Sequence, residues 1–299
     1  MNSDPAIACS CCGTAIEPAD RFDIRVHLPD IALKDPGKPR SSPMDALLLV
    51  KGEGAFLRVL LPVRLSSGSD LVFGTWMRIG DDDARHVFDI WEDASYANLI
   101  LEGTLGNAIK PWGDRLLGAK VTAVVRDVNE IPYVERSEDP YVSRVITEDW
   151  DHDRILERMP MPLPFPVRTD LGAGWSIERT PGLSAGFADG YDRFAGGGRM
   201  VAVSALTDSR ERSVEERFQG LIEGIRPVPD EDKLILRSDD EIRYAETTAA
   251  GKDGETEYAL FGLVVRTGSA LDLQCHYRDP ADRAWALHVW RSASYASEG

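Results

Sequence analysis

Long hydrophobic runs are missing from this sequence. Its most apolar stretches, 47–50 and 121–125, are strand-sized, far below the roughly 18 residues a membrane helix needs. The opening Met1-Asn2-Ser3-Asp4-Pro5 has no basic residue and no apolar stretch behind it. No secretory signal is therefore expected, and the expected location is the cytoplasm. Cysteine is scarce: three of the four sit at Cys9, Cys11 and Cys12, and Cys275 stands alone. That spacing excludes a disulfide framework and suits a reducing compartment. Lysine is scarce too, 7 against 27 arginines, which points to a GC-rich bacterial genome and not to a mechanism. Basic clusters are absent as well. The 34 basic and 50 acidic residues leave a net charge of −16, split as −9 over residues 1–166 (18 against 27) and −7 over 167–299 (16 against 23). Phosphate backbones and anionic membranes bind clustered Lys and Arg, so neither nucleic acid nor membrane is an expected partner.

What is present is ordinary globular composition, 43% hydrophobic and 28% charged over 299 residues, a length that suits two domains. Met159-Pro160-Met161-Pro162-Leu163-Pro164-Phe165-Pro166 places proline at alternate positions. Such a segment can neither continue a helix nor sit in a central strand, so it reads as an extended linker. The expected organisation is an α+β domain over 1–158, a proline-rich linker over 159–166 and an α-β-α sandwich-like domain over 167–299. Each domain is expected to be a mainly antiparallel sheet with packed helices.

In the first domain, 36–43 reads as a loop, and 56–79 as a hairpin turning at Gly68. A helix is expected over 84–91, strands over 98–105 and 120–128, and a closing helix over 149–159. In the second, strands are expected over 174–179, 184–191 and 199–206. Ser213 with Glu216 three residues on is a capping-box pattern, and Phe218, Leu221, Ile222 and Ile225 form the apolar stripe behind it. Four further strands precede a final helix over 281–295. One internal echo stands out: Trp91-x-x-Ala94-Ser95-Tyr96-Ala97 against Trp290-x-x-Ala293-Ser294-Tyr295-Ala296. It does not extend into neighbouring elements, so two helix ends with similar needs, or chance, are expected rather than a repeat.

Several motifs invite a chemical reading. Cys9-Ser10-Cys11-Cys12-Gly13 could aim two thiolates at one zinc ion, with Cys11 and His27 as further ligands, although no second Cys-x-x-Cys follows. The alternatives are a degenerate knuckle with free thiols and a redox role. Gly182-Leu183-Ser184-Ala185-Gly186 matches the nucleophile-elbow string, but strand and not helix is expected after it, so a strand-edge turn is the expectation. Gly196-Gly197-Gly198 lacks a Gly-Lys-Ser/Thr ending and reads as a hairpin turn. Asp81, Asp82 and Asp83 are expected to charge-match a helix N-terminus. Asp149, Asp151, His152 and Asp153 form an acidic cluster around an imidazole, and they too are expected at a helix start. Trp76, Trp91, Trp112 and Trp175 are expected in the core.

Residues 9–158 resemble a bacterial family catalogued as domain of unknown function 2199. The carrying residues are Cys9-x-x-Cys12-Gly13, Phe56-Leu57-Arg58-Val59-Leu60-Leu61-Pro62-Val63, Phe73-Gly74-Thr75-Trp76-Met77 and Trp91; Phe73 stands where that family has a first Trp. The family implies no activity. Residues 167–299 resemble PsbP-like and DcrB-like domains in element order, which implies a binding or accessory role. The function expected is a non-catalytic binding or accessory protein, immunity-type or chaperone-like, whose partner is another protein. The alternatives are a metal-dependent enzyme built on Cys9, Cys12 and the 149–153 region, or a thiol redox sensor. Nothing in the residues names a substrate or an oligomeric state.

Overall fold

The computed structural model describes residues 21–161, 163, 165–207, 212–223, 229, 232–252 and 255–296. It is a mixed α/β structure, mostly strand with few helices. The described residues fall into two compact units that divide between Ile155 and Leu156.

The first unit runs through β1 (Arg21–Arg25), α1 (Asp30–Lys34), β2 (Arg40–Met44), β3 (Leu47–Val50), β4 (Gly54–Leu65), β5 (Asp70–Ile79) and α2 (Asp81–Ile90). There follow β6 (Ile100–Leu105), β7 (Lys120–Val124), β8 (Tyr133–Ser137), α3 (Pro140–Thr147), β9 (Asp149–Trp150) and α4 (His152–Leu156), which reaches the boundary. The sheet order is β1-β5-β6-β7-β8-β4-β3-β2, and β5 also pairs with β4. Strands β4 to β8 therefore close into a ring whose last seam is the parallel Leu60–Tyr133 bridge. Leu57, Val59, Leu61 and Val63 of β4 point into that ring with Leu71, Phe73, Val121 and Val134, all buried. Alternate residues face the other way: Phe56 and Trp76 pack with Ala32, Leu48 and Val50 under α1.

A strap at 26–30 is fastened over this outer layer by two buried polar side chains. Arg58 lies over the Trp76 ring, 4.3 Å from its centre, and donates to the carbonyls of Val26 and His27, both at 3.1 Å. Asn107, fully buried, accepts from Thr75 Oγ1 (3.0 Å) and from the Trp76 amide (3.2 Å). Its Nδ2 donates to the Leu28 carbonyl (2.8 Å) and to Asp30 Oδ1 (2.9 Å).

The second unit contains β10 (Val167–Gly172), β11 (Trp175–Arg179), β12 (Ser184–Ala188), β13 (Tyr191–Gly196), β14 (Arg199–Thr207), α5 (Val214–Ile222) and β15 (Lys233–Arg237). It continues with β16 (Glu241–Lys252), β17 (Glu255–Arg266), β18 (Ser269–Tyr277), α6 (Arg283–Arg291) and β19 (Ser294–Tyr295). A seven-stranded antiparallel sheet has the order β12-β13-β14-β18-β17-β16-β15, and β10-β11-β19 forms a smaller one. On one face of the large sheet, Trp285, Val289 and Trp290 of α6 join Trp175, Val201, Leu271 and Leu273 in a buried core. The three indoles are each satisfied, donating to Ser269 Oγ (Trp175), Thr180 Oγ1 (Trp285) and the Leu263 carbonyl (Trp290). Gly262 makes room for Trp290: a Cβ there would lie 2.6 Å from Trp290 Cδ1. On the opposite face α5 packs Phe218 against Ile242, Leu263 and Val265. Its start is a complete capping box between Ser213 and Glu216.

Six readings of the sequence need correction. Residues 36–43 are not all loop, because Arg40–Met44 forms an edge strand, a place where Pro43 is tolerated. The helix expected over 149–159 is only the short α4 after the two-residue β9; the longer helix of that region is α3, started by Asp139 accepting from Tyr141 and Val142 N–H and by Pro140 at its first turn. The single strand expected over 184–191 is a hairpin, since Asp189 and Gly190 both take positive φ (55° and 83°) and turn the chain. The final helix stops at Arg291, and Ser294–Tyr295 pairs with β11 instead. Trp76, Trp112 and Trp175 are buried, whereas Trp91 is half-buried against Tyr96. The two echo segments also differ: Ala94–Asn98 is a 3-10 turn capped by Asp93, while Ser294–Tyr295 is strand.

Candidate functional site

The residues singled out in the sequence do not converge. Cys9, Cys11 and Cys12 lie outside the described residues. His27 is exposed. Among the described residues no group of three His, Cys, Asp or Glu side chains could hold a metal ion. Asp149 accepts from Arg64 Nε at 2.7 Å, Asp151 caps the Arg154 amide, and His152 Nδ1 meets Ser67 Oγ at 2.8 Å. Asp81, Asp82 and Asp83 occupy the first turn of α2, where Asp82 pairs with Arg85. Ser184 opens strand β12 with no helix behind it, and Gly197 and Gly198 turn β13 into β14. Cys275 is fully buried, and burial pushes its thiol far above the ordinary range, which makes it a packing residue.

A different set of side chains does converge, at the β3–β4 turn. The ladder places Arg40 opposite Val50, Val50 opposite Gly54, and Ile79 opposite Ala55. Four strand ends, from β2 to β5, therefore meet at one rim, and the turn between them needs glycine at Gly52 and Gly54, with φ of 78° and 99°. They border an open cavity of about 820 Å³ lined by Arg40, Ser41, Lys51, Glu53, Arg78 and Asp81, with Leu49 and Ile79 as its apolar part. The Arg78 head lies across Gly54: its Nε is 3.6 Å from where a Cβ on that glycine would sit.

The electrostatics are lopsided. Glu53 accepts from Lys38 Nζ at 2.5 Å. That hydrogen bond, with the nearby Lys38 and Arg78 charges, holds its carboxyl below the usual range. Asp81 sits at a helix N-terminus, which partly offsets its charge. Arg40, Lys51 and Arg78 make no ion pair within the described residues; Arg40 has one long contact, 3.4 Å, to the Pro36 carbonyl. Arg21, Arg144, Arg168, Arg199, Arg243 and Arg266 are each tied to a carboxylate, while Arg25, Arg115, Arg126, Arg158, Arg278, Arg283 and Arg291 are exposed and, like the cavity's cations, form no ion pair among the described residues. The sequence hid the cavity because its cations are far apart along the chain, and 36–43 reads as loop.

A second polar locus lies on the α5 side of the large sheet. Tyr191 donates to Asp272 Oδ2 at 2.5 Å, and Gln274 Nε2 reaches the Tyr191 hydroxyl at 3.4 Å. Burial raises Asp272 and pushes Tyr191 up to about 12, while burial and the Arg193 charge lower His276 against the pull of Glu257. Asp272 Oδ1 and Arg193 Nε are shut off from solvent without a well-formed hydrogen bond. The residues of this row are half-buried, and His276 borders a shallow cavity with Arg199, Glu257 and Arg278.

No helix among the described residues is long and apolar enough to cross a membrane. No curated protein matches the chain. One solved structure, from Bacteroides thetaiotaomicron VPI-5482, aligns at 12% identity and a TM-score of 0.34, over 44% of this chain and 48% of that one. The chain thus spans about half the length of that structure, and the likeness is too slight to carry an argument. Residues 8–147, which include the cavity and the ring of strands beneath it, match the family described as "Uncharacterized protein conserved in bacteria (DUF2199)", so the first half of the chain is similar to that family.

Proposed function

We propose that this chain is a non-catalytic bacterial binding or accessory protein, of immunity or chaperone type, whose partner is another protein. In this reading residues 1–158 and 167–299 are two domains joined by the proline-rich 159–166, and the cavity at the β3–β4 turn is where the partner docks. The reading is carried by one observation: Arg40, Lys51 and Arg78 line one open cavity, and none of them forms an ion pair among the described residues. A cavity this open suits a group presented by a larger molecule, because small-molecule sites bury most of their ligand's surface.

The test is a tagged pull-down from the source bacterium with the full chain and with a K51E/R78E double variant. A near-stoichiometric protein captured by the natural chain and lost by the variant supports the proposal. Capture of the same protein by both moves the docking surface elsewhere, and capture of none refutes the reading. The metal content of the same eluate tests the separate proposal of a zinc knuckle at Cys9, Cys12, Cys11 and His27. Stoichiometric zinc whose removal only lowers Tm marks a structural knuckle, whereas loss of an activity with the metal marks an enzyme. Thiol redox sensing predicts reversible loss of free thiols at Cys9, Cys11 or Cys12 under mild oxidant.

A further inference from the structure

We infer that the free edge of β12 is a self-association surface: two copies of this chain pair there as antiparallel strands, Ala185 of one copy opposite Phe187 of the other. This surface belongs to the second unit, and neither it nor the docking cavity of the first depends on the other.

A sheet edge offers unpaired N–H and C=O groups to any strand that reaches it, and proteins guard such edges with charge, proline or short length. Among the described residues every other edge strand is guarded. β1 carries Arg21, Asp23 and Arg25, and β2 carries Arg40 and Pro43. β10 carries Arg168 and Asp170, and β15 carries Lys233 and Arg237. β9 and β19 are two residues long. β12 reads Ser184-Ala185-Gly186-Phe187-Ala188, with no charged residue and no proline. Its first four residues are exposed, and Phe187, at 73%, is the most exposed large hydrophobic side chain among the described residues.

The register makes this edge its own complement. Asp189 and Gly190 form a two-residue hairpin loop, so the flanking Ala188 and Tyr191 exchange both backbone bonds. Bonded and non-bonded pairs then alternate along the ladder. Gly186 and Ser184 are bonded to Arg193 and Ala195, and the N–H and C=O of Ala185 and Phe187 point to the open side. The Gly197–Gly198 loop requires the same phase: it closes on Gly196 and Arg199, which turns Asp192 and Phe194 toward β14 and leaves Arg193 and Ala195 to β12. An antiparallel copy centred on Gly186 meets the open groups two for two. Ala185 exchanges two bonds with the partner's Phe187, and Phe187 two with the partner's Ala185, four in all. Each phenyl ring then stands across from a methyl group, and glycine meets glycine on the two-fold axis. Such an interface is isologous and closes at two copies. This match of the edge to itself selects a second copy over a foreign strand. Charge does not oppose it locally, since Arg193 beside Gly186 is paired with Asp189 at 2.7 Å and Asp192 stands one strand back from the seam. Five residues a side bury less than the roughly 800 Å² per partner of a stable complex, and two chains of −16 repel each other. The pairing is therefore weak and concentration-dependent.

Sedimentation equilibrium of the full chain from about 10 μM to about 1 mM, at two salt concentrations, reads the association. The expected result is a monomer–dimer equilibrium with Kd of about 10–500 μM, tightened by added salt, which screens the repulsion. Ala185→Pro removes a donor that points away from β13, where an edge strand tolerates proline, and with it two of the four bonds. It should raise Kd about tenfold or more. Phe187→Lys places a charge on the edge and should also weaken the pairing. Ile235→Lys, on the opposite edge of the same sheet, should leave Kd unchanged. Amide exchange in the natural chain locates the seam: as concentration rises the Ala185 and Phe187 amides should slow together, while Gly186, already bonded to Arg193, should not change. A chain that stays monomeric to about 1 mM, a dimer indifferent to both β12 variants, or one loosened by salt overturns the inference. Growth beyond the dimer overturns it as well, because β12 paired with its copy leaves no edge to extend.

Discussion

Asn107 offers the sharpest test of how the first unit holds together. The side chain is fully buried and makes four hydrogen bonds, two as acceptor and two as donor. In Asn107→Ala the Thr75 hydroxyl can turn to another acceptor, and Asp30 keeps its bond from the Ala108 amide. The Trp76 amide and the Leu28 carbonyl lose the partners that Asn107 gave them. An orphaned buried polar group costs about 1–3 kcal/mol, so two imply roughly 2–6 kcal/mol. The vacated space is polar, and a water bridging these groups would recover part of the loss. The expected cost is therefore about 2–4 kcal/mol, a large share of the 5–15 kcal/mol that usually separates folded from unfolded. Urea unfolding, with hydrogen exchange at the Trp76 amide to assign the loss to this unit, is the assay. Asn107→Asp should cost more at neutral pH, because the new oxygen faces the Leu28 carbonyl and the Asp30 carboxylate. Part of that extra cost should vanish on acidification. A cost for N107A below about 1 kcal/mol at unchanged m would refute the reasoning, since it would mean the strap at 26–30 does not depend on this side chain.

Two further outcomes are expected in the second unit. Gly262→Ala drives a Cβ to within 2.6 Å of Trp290 Cδ1, so α6 must shift. The expected loss is roughly 1–3 kcal/mol, read as a lower Tm with near-ultraviolet circular dichroism changes from the indoles. Glu178 accepts from His288 Nε2 at 3.0 Å and from Arg168 at 2.7 Å. Chiefly through the His288 bond, its carboxyl is held below its usual range although burial opposes this. A depressed acid contributes stability above its unfolded pKa of about 4.3. That contribution disappears as pH falls through the lower folded value. Glu178→Gln should flatten the acid limb of a Tm-against-pH curve between roughly pH 5 and 3; an acid limb identical to that of the natural chain would show that the pair carries no linkage.

The sequence was most legible where the determining residues are neighbours. Ser213 and Glu216 foretell the start of α5 because both halves of a capping box lie within one turn. Gly68, at a positive φ of 85°, marks the turn that joins β4 to β5. Asp139-Pro140 carried an equally local helix signal, and α3 was legible in principle. The closing of the ring was not: the Leu60–Tyr133 seam joins strands 73 residues apart, with no local residue to announce it. The cavity shares that difficulty. Arg40, Lys51 and Arg78 read as scattered surface charges until strand register brings them to one rim.

Strand β4 has a consequence for the history of this chain. From Ala55 to Leu61 every residue is buried, because one set of side chains fills the ring while the other is covered on the outside, Phe56 and Arg58 by the layer under α1 and the strap and Leu60 by Val72 and Tyr133. Strand β18 is different: between Leu271 and Tyr277 buried and half-exposed residues alternate. Substitutions accumulate with period two along a strand that has a free face. Along β4 that freedom is withdrawn on both sides, so neutral drift is confined to swaps of near-equal volume. In lineages descending from a common ancestor, β4 should thus record the slowest change in the first unit, while β18 keeps a skipping rhythm of fast and slow positions.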